Sequence, residues 1–206
     1  MRWKKPNAYL TILLNSMKIG LFFGSFNPIH HGHLIIAQAV LNQTDVDQIW
    51  FVVSPQNPLK KSKTLLHEFD RLDMVERAIE ANFNFKSCDI EFHLRKPSYT
   101  IDTLTHLSER HPNHTFTLIL GGDNLEQFTR WKNYNQILDY YGLFVYPRGE
   151  EQMSDLWHHK HVTRIDAPVL QISATYIRAC IQRGKSIKYL VPDQVEQQID
   201  IKKFYL

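Results

Sequence analysis

The chain has 206 residues, 43% of them hydrophobic, and a formal charge of +3 with its eleven histidines counted neutral, which is apolar material for one α/β core and little room for a second domain. The mild positive balance suits small anionic ligands and lacks the dense Lys/Arg stripe of a nucleic-acid groove. Two cysteines, Cys88 and Cys180, stand far apart and outside any Cys-x-x-Cys pair; they exclude a disulfide framework or zinc ribbon and suit reduced cytoplasmic thiols, and no apolar run approaches a membrane span.

Residues 1–16 are expected to be an appendage. Their basic start and the apolar stretch 8–14 mimic a secretory leader, but the stretch is short, is interrupted by Thr11 and lacks a small-residue cleavage site. The domain is expected over 17–206, beginning with a strand at 18–23. Apolar residues Leu34, Ile35, Ala37, Ala39, Val40 and Leu41 predict a helix over 32–43, and the run at 47–53 a short buried strand. A helix over 67–81, a strand over 87–92, a helix over 100–109 and a strand over 115–120 follow, then helical segments within 124–140. Strands at 143–146 and 161–165 and helices at 175–182 and 193–199 close the chain. Such alternation, with links too long for hairpins, predicts a single Rossmann-like α/β domain: a mostly parallel sheet with helices on both faces and ligands at the carboxyl ends of the strands. The Gly24, Pro55 and Gly121-Gly122-Asp123 loops all fall at such ends. The loop 54–64, with Lys60, Lys61 and Lys63, is expected to be a flexible lid, and 148–155 a polar connection.

Behind the first strand stands Gly24-Ser25-Phe26-Asn27-Pro28-Ile29-His30-His31-Gly32-His33. Gly24 and Ser25 let backbone N–H groups turn toward a ligand, and Gly32 opens the helix N-terminus, where the dipole favours an anion. His30 and His33, three apart in the first turn, project to the same side and can grip one phosphate; a helix start with incidental surface histidines is the plainer alternative. In Ile172-Ser173-Ala174-Thr175-Tyr176-Ile177-Arg178, the hydroxyls of Ser173 and Thr175 can cap a helix, hold a polyphosphate together with Arg178, or do both. His158, His159 and His161 read as polar surface, since no carboxylate or cysteine completes a tetrahedral set.

The first string resembles the Gly-x-Phe-x-Pro-x-His-x-Gly-His signature of the nucleotidyltransferases, and the second their Ile-Ser-Ser-Thr-x-Ile-Arg element. Between them Trp50 to Lys60, Arg71, Pro97 to Leu104, Gly121-Gly122-Asp123 and Trp131-Lys132 are similar to bacterial nicotinate-nucleotide adenylyltransferases, over nearly everything after Met17. The resemblance implies catalytic roles for His30, His33 and Arg178. It implies ATP contacts from Gly24, Ser25, Phe26, His30, Gly32, His33, Asp123, Ser173, Thr175 and Arg178. On the acceptor side it implies Lys60, Thr100, Trp131 and Lys132, with the pyridine ring on Trp131 and its carboxylate met by the N–H groups of Thr100 and Lys132. Taken alone, Trp131 reads more readily as core than as a platform, Asp123 also as an ordinary helix cap and Lys60 equally as a solvated tip. Phe23 stands where most members have a glycine, Asn27 where they have Asp, and Ala174 in place of the second Ser.

The implied reaction transfers the adenylyl group of ATP to nicotinate mononucleotide, releasing pyrophosphate, in NAD biosynthesis. The implied partners are ATP, nicotinate mononucleotide and Mg²⁺ that arrives with ATP; a homo-oligomer is compatible, and neither nucleic acid nor membrane is expected. The alternatives are nicotinamide mononucleotide or phosphopantetheine as acceptor, or a non-catalytic nucleotide sensor.

Overall fold

The computed structural model describes residues 16–55, 64–95, 98–148, 154–168 and 170–206. Nearly all of the expected appendage, Lys60 with most of the expected lid, and much of the 148–155 connection lie outside the described residues.

Six strands form one sheet: β1 (Lys18–Gly24), β2 (Gln48–Val53), β3 (Phe85–Cys88), β4 (Thr115–Gly121), β5 (Leu143–Tyr146) and β6 (Val162–Arg164). Their order is β3-β2-β1-β4-β5-β6, and every pairing is parallel. Around it run seven helices among the described residues: α1 (His31–Gln43), α2 (Glu68–Ile79), α3 (Thr100–Arg110), the single turn α4 (Gly122–Leu125), α5 (Tyr134–Tyr140), α6 (Ala174–Gln182) and α7 (Asp193–Lys202).

The four inner strands, β1, β2, β4 and β5, are near-continuous apolar runs because both faces are covered, whereas the edge strands β3 and β6 carry Lys86, Ser87, Thr163 and Arg164. On one face Phe22, Ile49, Phe51 and Ile119 pack against Ala37 and Val40 of α1, Met74 and Val75 of α2, Ile177 of α6 and Val195 of α7. On the other, Leu21, Val52, Leu118 and Val145 meet Leu104 and Leu107 of α3 and Ile137 and Leu138 of α5. Phe23, the expected departure at the loop entrance, lies half-buried against this second core.

Chain order reverses between β1 and β4, which pair in register from Lys18 opposite Thr115 to Phe22 opposite Ile119. Their outgoing loops therefore open a crevice at the carboxyl edge, the position at which doubly wound sheets take ligands. That crevice brings the Gly24 loop and the Gly121 loop side by side.

One expected element is corrected. The strand at 87–92 is instead β3, ending at Cys88, followed by a 3₁₀ turn over Ile90–Phe92; Glu91 turns inward to accept from Thr103, which bends the chain off the sheet edge. The helical segments expected within 124–140 are α4, a 3₁₀ turn over Phe128–Arg130, and α5, separated where Trp131 is extended and Asn133 is left-handed at φ 52°.

Candidate active site

The turn leaving β1 is shaped by an aromatic ring. Phe26, at φ 44° and only 2% exposed, folds back over Gly24, where an added Cβ would come within 2.8 Å of the ring. Glycine is the residue that leaves this space. Phe26 itself packs against Phe22, Phe51 and His33, so its side chain belongs to the core and only its backbone can serve a ligand.

Past this turn, His30 and His33 stack with ring centroids 3.7 Å apart. The backbone N–H of His30 donates to His33 Nδ1 at 3.3 Å, which places the proton of a neutral His33 ring on Nε2. Gly32 makes room for the first imidazole: a Cβ there would lie 3.0 Å from His30 Nδ1. Of the open amides at the start of α1, His31 N–H is taken by Leu190 O at 3.0 Å, leaving Gly32 N–H without an acceptor among the described residues.

Both imidazoles are held neutral. Burial lowers His30 to about 4, with the charges of Arg148 and His31 adding to it; burial, then His30 and Arg148, push His33 well below 6.5. A folded pKa below the unfolded one means that the unfolded chain binds more protons as pH falls. This contribution to stability is complete above about pH 6.5 and is lost progressively toward pH 4. The denaturation midpoint is therefore expected to fall across this window, and to fall less in His30→Asn, as followed by urea unfolding at stepped pH. A wild-type profile indistinguishable from the variant's would contradict the buried neutral pair.

Arg178, one turn into α6, reaches back to the same loop: Nη1 donates to Asn27 O at 2.7 Å and Nη2 to Thr175 Oγ1 at 3.2 Å. Ser173 caps α6 by accepting from Tyr176 N at 3.2 Å, so capping and the placing of Arg178 come from one short segment. Across the crevice Asp123, in the first turn of α4, faces Arg148 at 3.5 Å, and Arg148 Nη2 donates to Tyr146 OH at 3.1 Å.

Beneath the loop lies Arg71 of α2, fully buried. Its guanidinium donates to Ser25 O (2.6 Å), Ser54 O (2.7 Å), Pro55 O (2.8 Å) and Leu66 O (3.0 Å). Three separate segments of chain thus share one cation. On the acceptor side, Lys132 Nζ lies 3.0 Å from both carboxylate oxygens of Asp102 and 4.7 Å over the Tyr99 ring. This sets Trp131-Lys132 against the opening turn of α3, where Thr100 N–H is one of the amides without an intrahelical partner. Trp131 is half-buried with its ring 5.3 Å from Phe128.

A family model described as cytidylyltransferase-like matches residues 21–180. A probable nicotinate-nucleotide adenylyltransferase of Cytophaga hutchinsonii is 59% identical over 92% of this chain and 98% of its own length. One from Flavobacterium johnsoniae is 50% identical over 92% and 99%. The chain belongs to the nicotinate-nucleotide adenylyltransferase family. In fold it is similar to the Plasmodium falciparum nicotinic acid mononucleotide adenylyltransferase solved with NaAD, at a TM-score of 0.78 and 22% identity, covering 92% of this chain and 97% of that one.

Two polar groups of this adenylyltransferase fold stand at the crevice without a signal in the motifs. Arg148 follows β5 in what reads as a plain polar connection, and only the pairing of β4 with β5 brings it over Gly121 and Asp123. Glu91 is a buried carboxylate that accepts from Thr103 Oγ1 at 2.9 Å; burial raises its pKa against the opposing pull of the Ser54 and Thr103 hydroxyls. His161, by contrast, has an ordinary structural setting, with its N–H on His159 Nδ1 and its own Nδ1 at Leu138 O.

Proposed function

We propose that the chain transfers the adenylyl group of ATP to the phosphate of nicotinate mononucleotide, giving nicotinate adenine dinucleotide and pyrophosphate. The observation that carries this reading is the stacked, neutral imidazole pair at the switch point of the sheet, with Arg178 bound to the backbone three residues before it. The reaction needs two anions brought together and a third released, and this crevice offers donors in place of bases.

The attacking oxygen belongs to the acceptor's own phosphate. With a second pKa near about 6, that group is mostly dianionic at neutral pH, so no residue has to remove a proton. Catalysis then consists of aligning the nucleophile with the leaving group and stabilising charge that grows on the leaving side. His33 donates through Nε2–H, His30 lends the second imidazole, and Gly32 N–H adds a backbone donor to the α-phosphate. Arg178, with Ser173 and Thr175 at the start of α6, holds the departing pyrophosphate, and Asp123 takes the ribose of ATP.

Asp123 is engaged by Arg148. Mg²⁺ is assigned to the substrate, as MgATP, where it would screen the phosphate charge. The reading includes a cytoplasmic setting, which the free thiols Cys88 and Cys180 suit.

At the acceptor end the pyridine ring lies on Trp131, and its carboxylate meets the N–H groups of Thr100 and Lys132. A carboxylate gains from two directed donors what a neutral amide, whose NH₂ would face those same donors, forfeits. Lys60 is assigned to the acceptor phosphate from the motif alone. A panel of nicotinate mononucleotide, nicotinamide mononucleotide and phosphopantetheine, assayed with MgATP for pyrophosphate release, tests the assignment. The acid is expected to lead the amide by at least about tenfold in kcat/KM, or about 1.4 kcal/mol. Equal rates would remove the roles of Thr100 and Lys132, and no release with any acceptor would favour a nucleotide sensor.

A further inference from the structure

The end of the chain reaches the phosphate loop. After α7, which is pinned to α2 by Lys202 Nζ on Asp70 at 2.8 Å and Gln198 Nε2 on Asp73 at 2.6 Å, the backbone turns through two left-handed residues, Lys203 at φ 55° and Tyr205 at φ 67°. A left-handed residue just past a helix is an ordinary way to stop it. A second one two residues later, on an aromatic side chain, is uncommon and asks for a reason.

The reason lies at the other end of the side chain. Tyr205 is 8% exposed, and its hydroxyl donates to Asn27 Oδ1 at 3.0 Å across 178 positions of sequence. Asn27, itself 4% exposed, is a junction. Its Oδ1 also accepts from Leu66 N at 3.3 Å, its Nδ2 donates to Thr64 O at 3.0 Å, and its carbonyl holds Arg178 Nη1 at 2.7 Å. The guanidinium assigned to the leaving pyrophosphate is thus fixed by a carbonyl whose residue is fixed by the tyrosine. Burial raises the Tyr205 pKa, with the charges of Arg178 and Arg71 acting against it, so the phenol keeps its proton and remains a donor at neutral pH.

We infer that Tyr205 is a positioning residue for adenylyl transfer: through Asn27 it sets the loop carbonyl that aims Arg178 at the pyrophosphate. The inference rests on the adenylyl-transfer reading, which assigns Arg178 to the pyrophosphate, and on the observed hydrogen bonds for the link from Tyr205 through Asn27 to Arg178.

Tyr205→Phe keeps the ring and removes the oxygen. Pyrophosphate binding is measured at equilibrium by calorimetry, and steady-state rates are measured with MgATP and nicotinate mononucleotide. Expected are a pyrophosphate Kd about tenfold weaker, a kcat about tenfold lower and a KM for nicotinate mononucleotide within about twofold of wild type. Asn27→Ala removes the acceptor from the opposite side and serves as the second variant, should Tyr205→Phe fold poorly; adding Tyr205→Phe to it should weaken pyrophosphate by less than about twofold more. A folded Tyr205→Phe with unchanged pyrophosphate affinity overturns the inference, as do fully multiplicative losses in the double variant. A wild type inactive with nicotinate mononucleotide sinks the acceptor assignment instead, and a weakened pyrophosphate Kd in Tyr205→Phe would still support the link.

Discussion

His33→Ala is expected to lower kcat by about a thousandfold while the chain stays folded. The loss is that of a preorganised donor, and removing one such group from a site where charge develops is worth about 10²–10³. Two features put this variant at the upper end. His33 Nδ1 is already occupied by His30 N–H, so the ring offers the substrate one nitrogen whose proton cannot be redistributed. The ring also forms one side of the 3.7 Å stack, and its removal frees His30 to turn. Circular dichroism and thermal melting check the fold, and pyrophosphate release checks the rate. Turnover within tenfold of wild type would remove His33 from the mechanism.

Arg71→Ala is expected to cost about 3–5 kcal/mol of stability and to abolish measurable turnover. The guanidinium satisfies carbonyls of Ser25, Ser54, Pro55 and Leu66. Deleting it leaves four acceptors unpaired, that of Pro55 buried and the others partly so, and a void beside them, a large fraction of the stability that domains possess. Arg71→Lys keeps a charge but brings three donors from one point in place of a planar fork, so it should recover part of the stability and little of the rate. Urea unfolding of both variants measures the first effect. An Ala variant within 1 kcal/mol of wild type, as an order-of-magnitude threshold, would mean that water replaces the guanidinium freely.

The sheet was legible because its inner strands are unbroken apolar runs ahead of small-residue turns, and full burial on both faces produces that pattern. The helical segments within 124–140 were legible but the breaks between them were not, because Leu125, Phe128, Ile137 and Leu138 point into one core from three separate segments and periodicity does not register the left-handed Asn133 between them. The expectation that His30 and His33 share a side follows from their spacing. Their neutrality does not, since it depends on burial and on Arg148, more than a hundred residues away. The part played by Arg71, named only as a family match, and that of Tyr205 were opaque for the same reason. An arginine on a helix gives no local sign that three loops converge on it, and a penultimate tyrosine gives none that its hydroxyl reaches residue 27.

The four oxygens that Arg71 holds in Ser25, Ser54, Pro55 and Leu66 are each the negative end of a peptide dipole. A trans peptide directs its N–H opposite to its C=O, so with Ser25 O drawn inward, the Phe26 N–H faces away from the guanidinium and out of the core. The interior cation thereby works as a hidden electrode. On the proposed reading, it orients this peptide so that the positive end of its dipole is offered to an incoming polyphosphate before either imidazole is engaged.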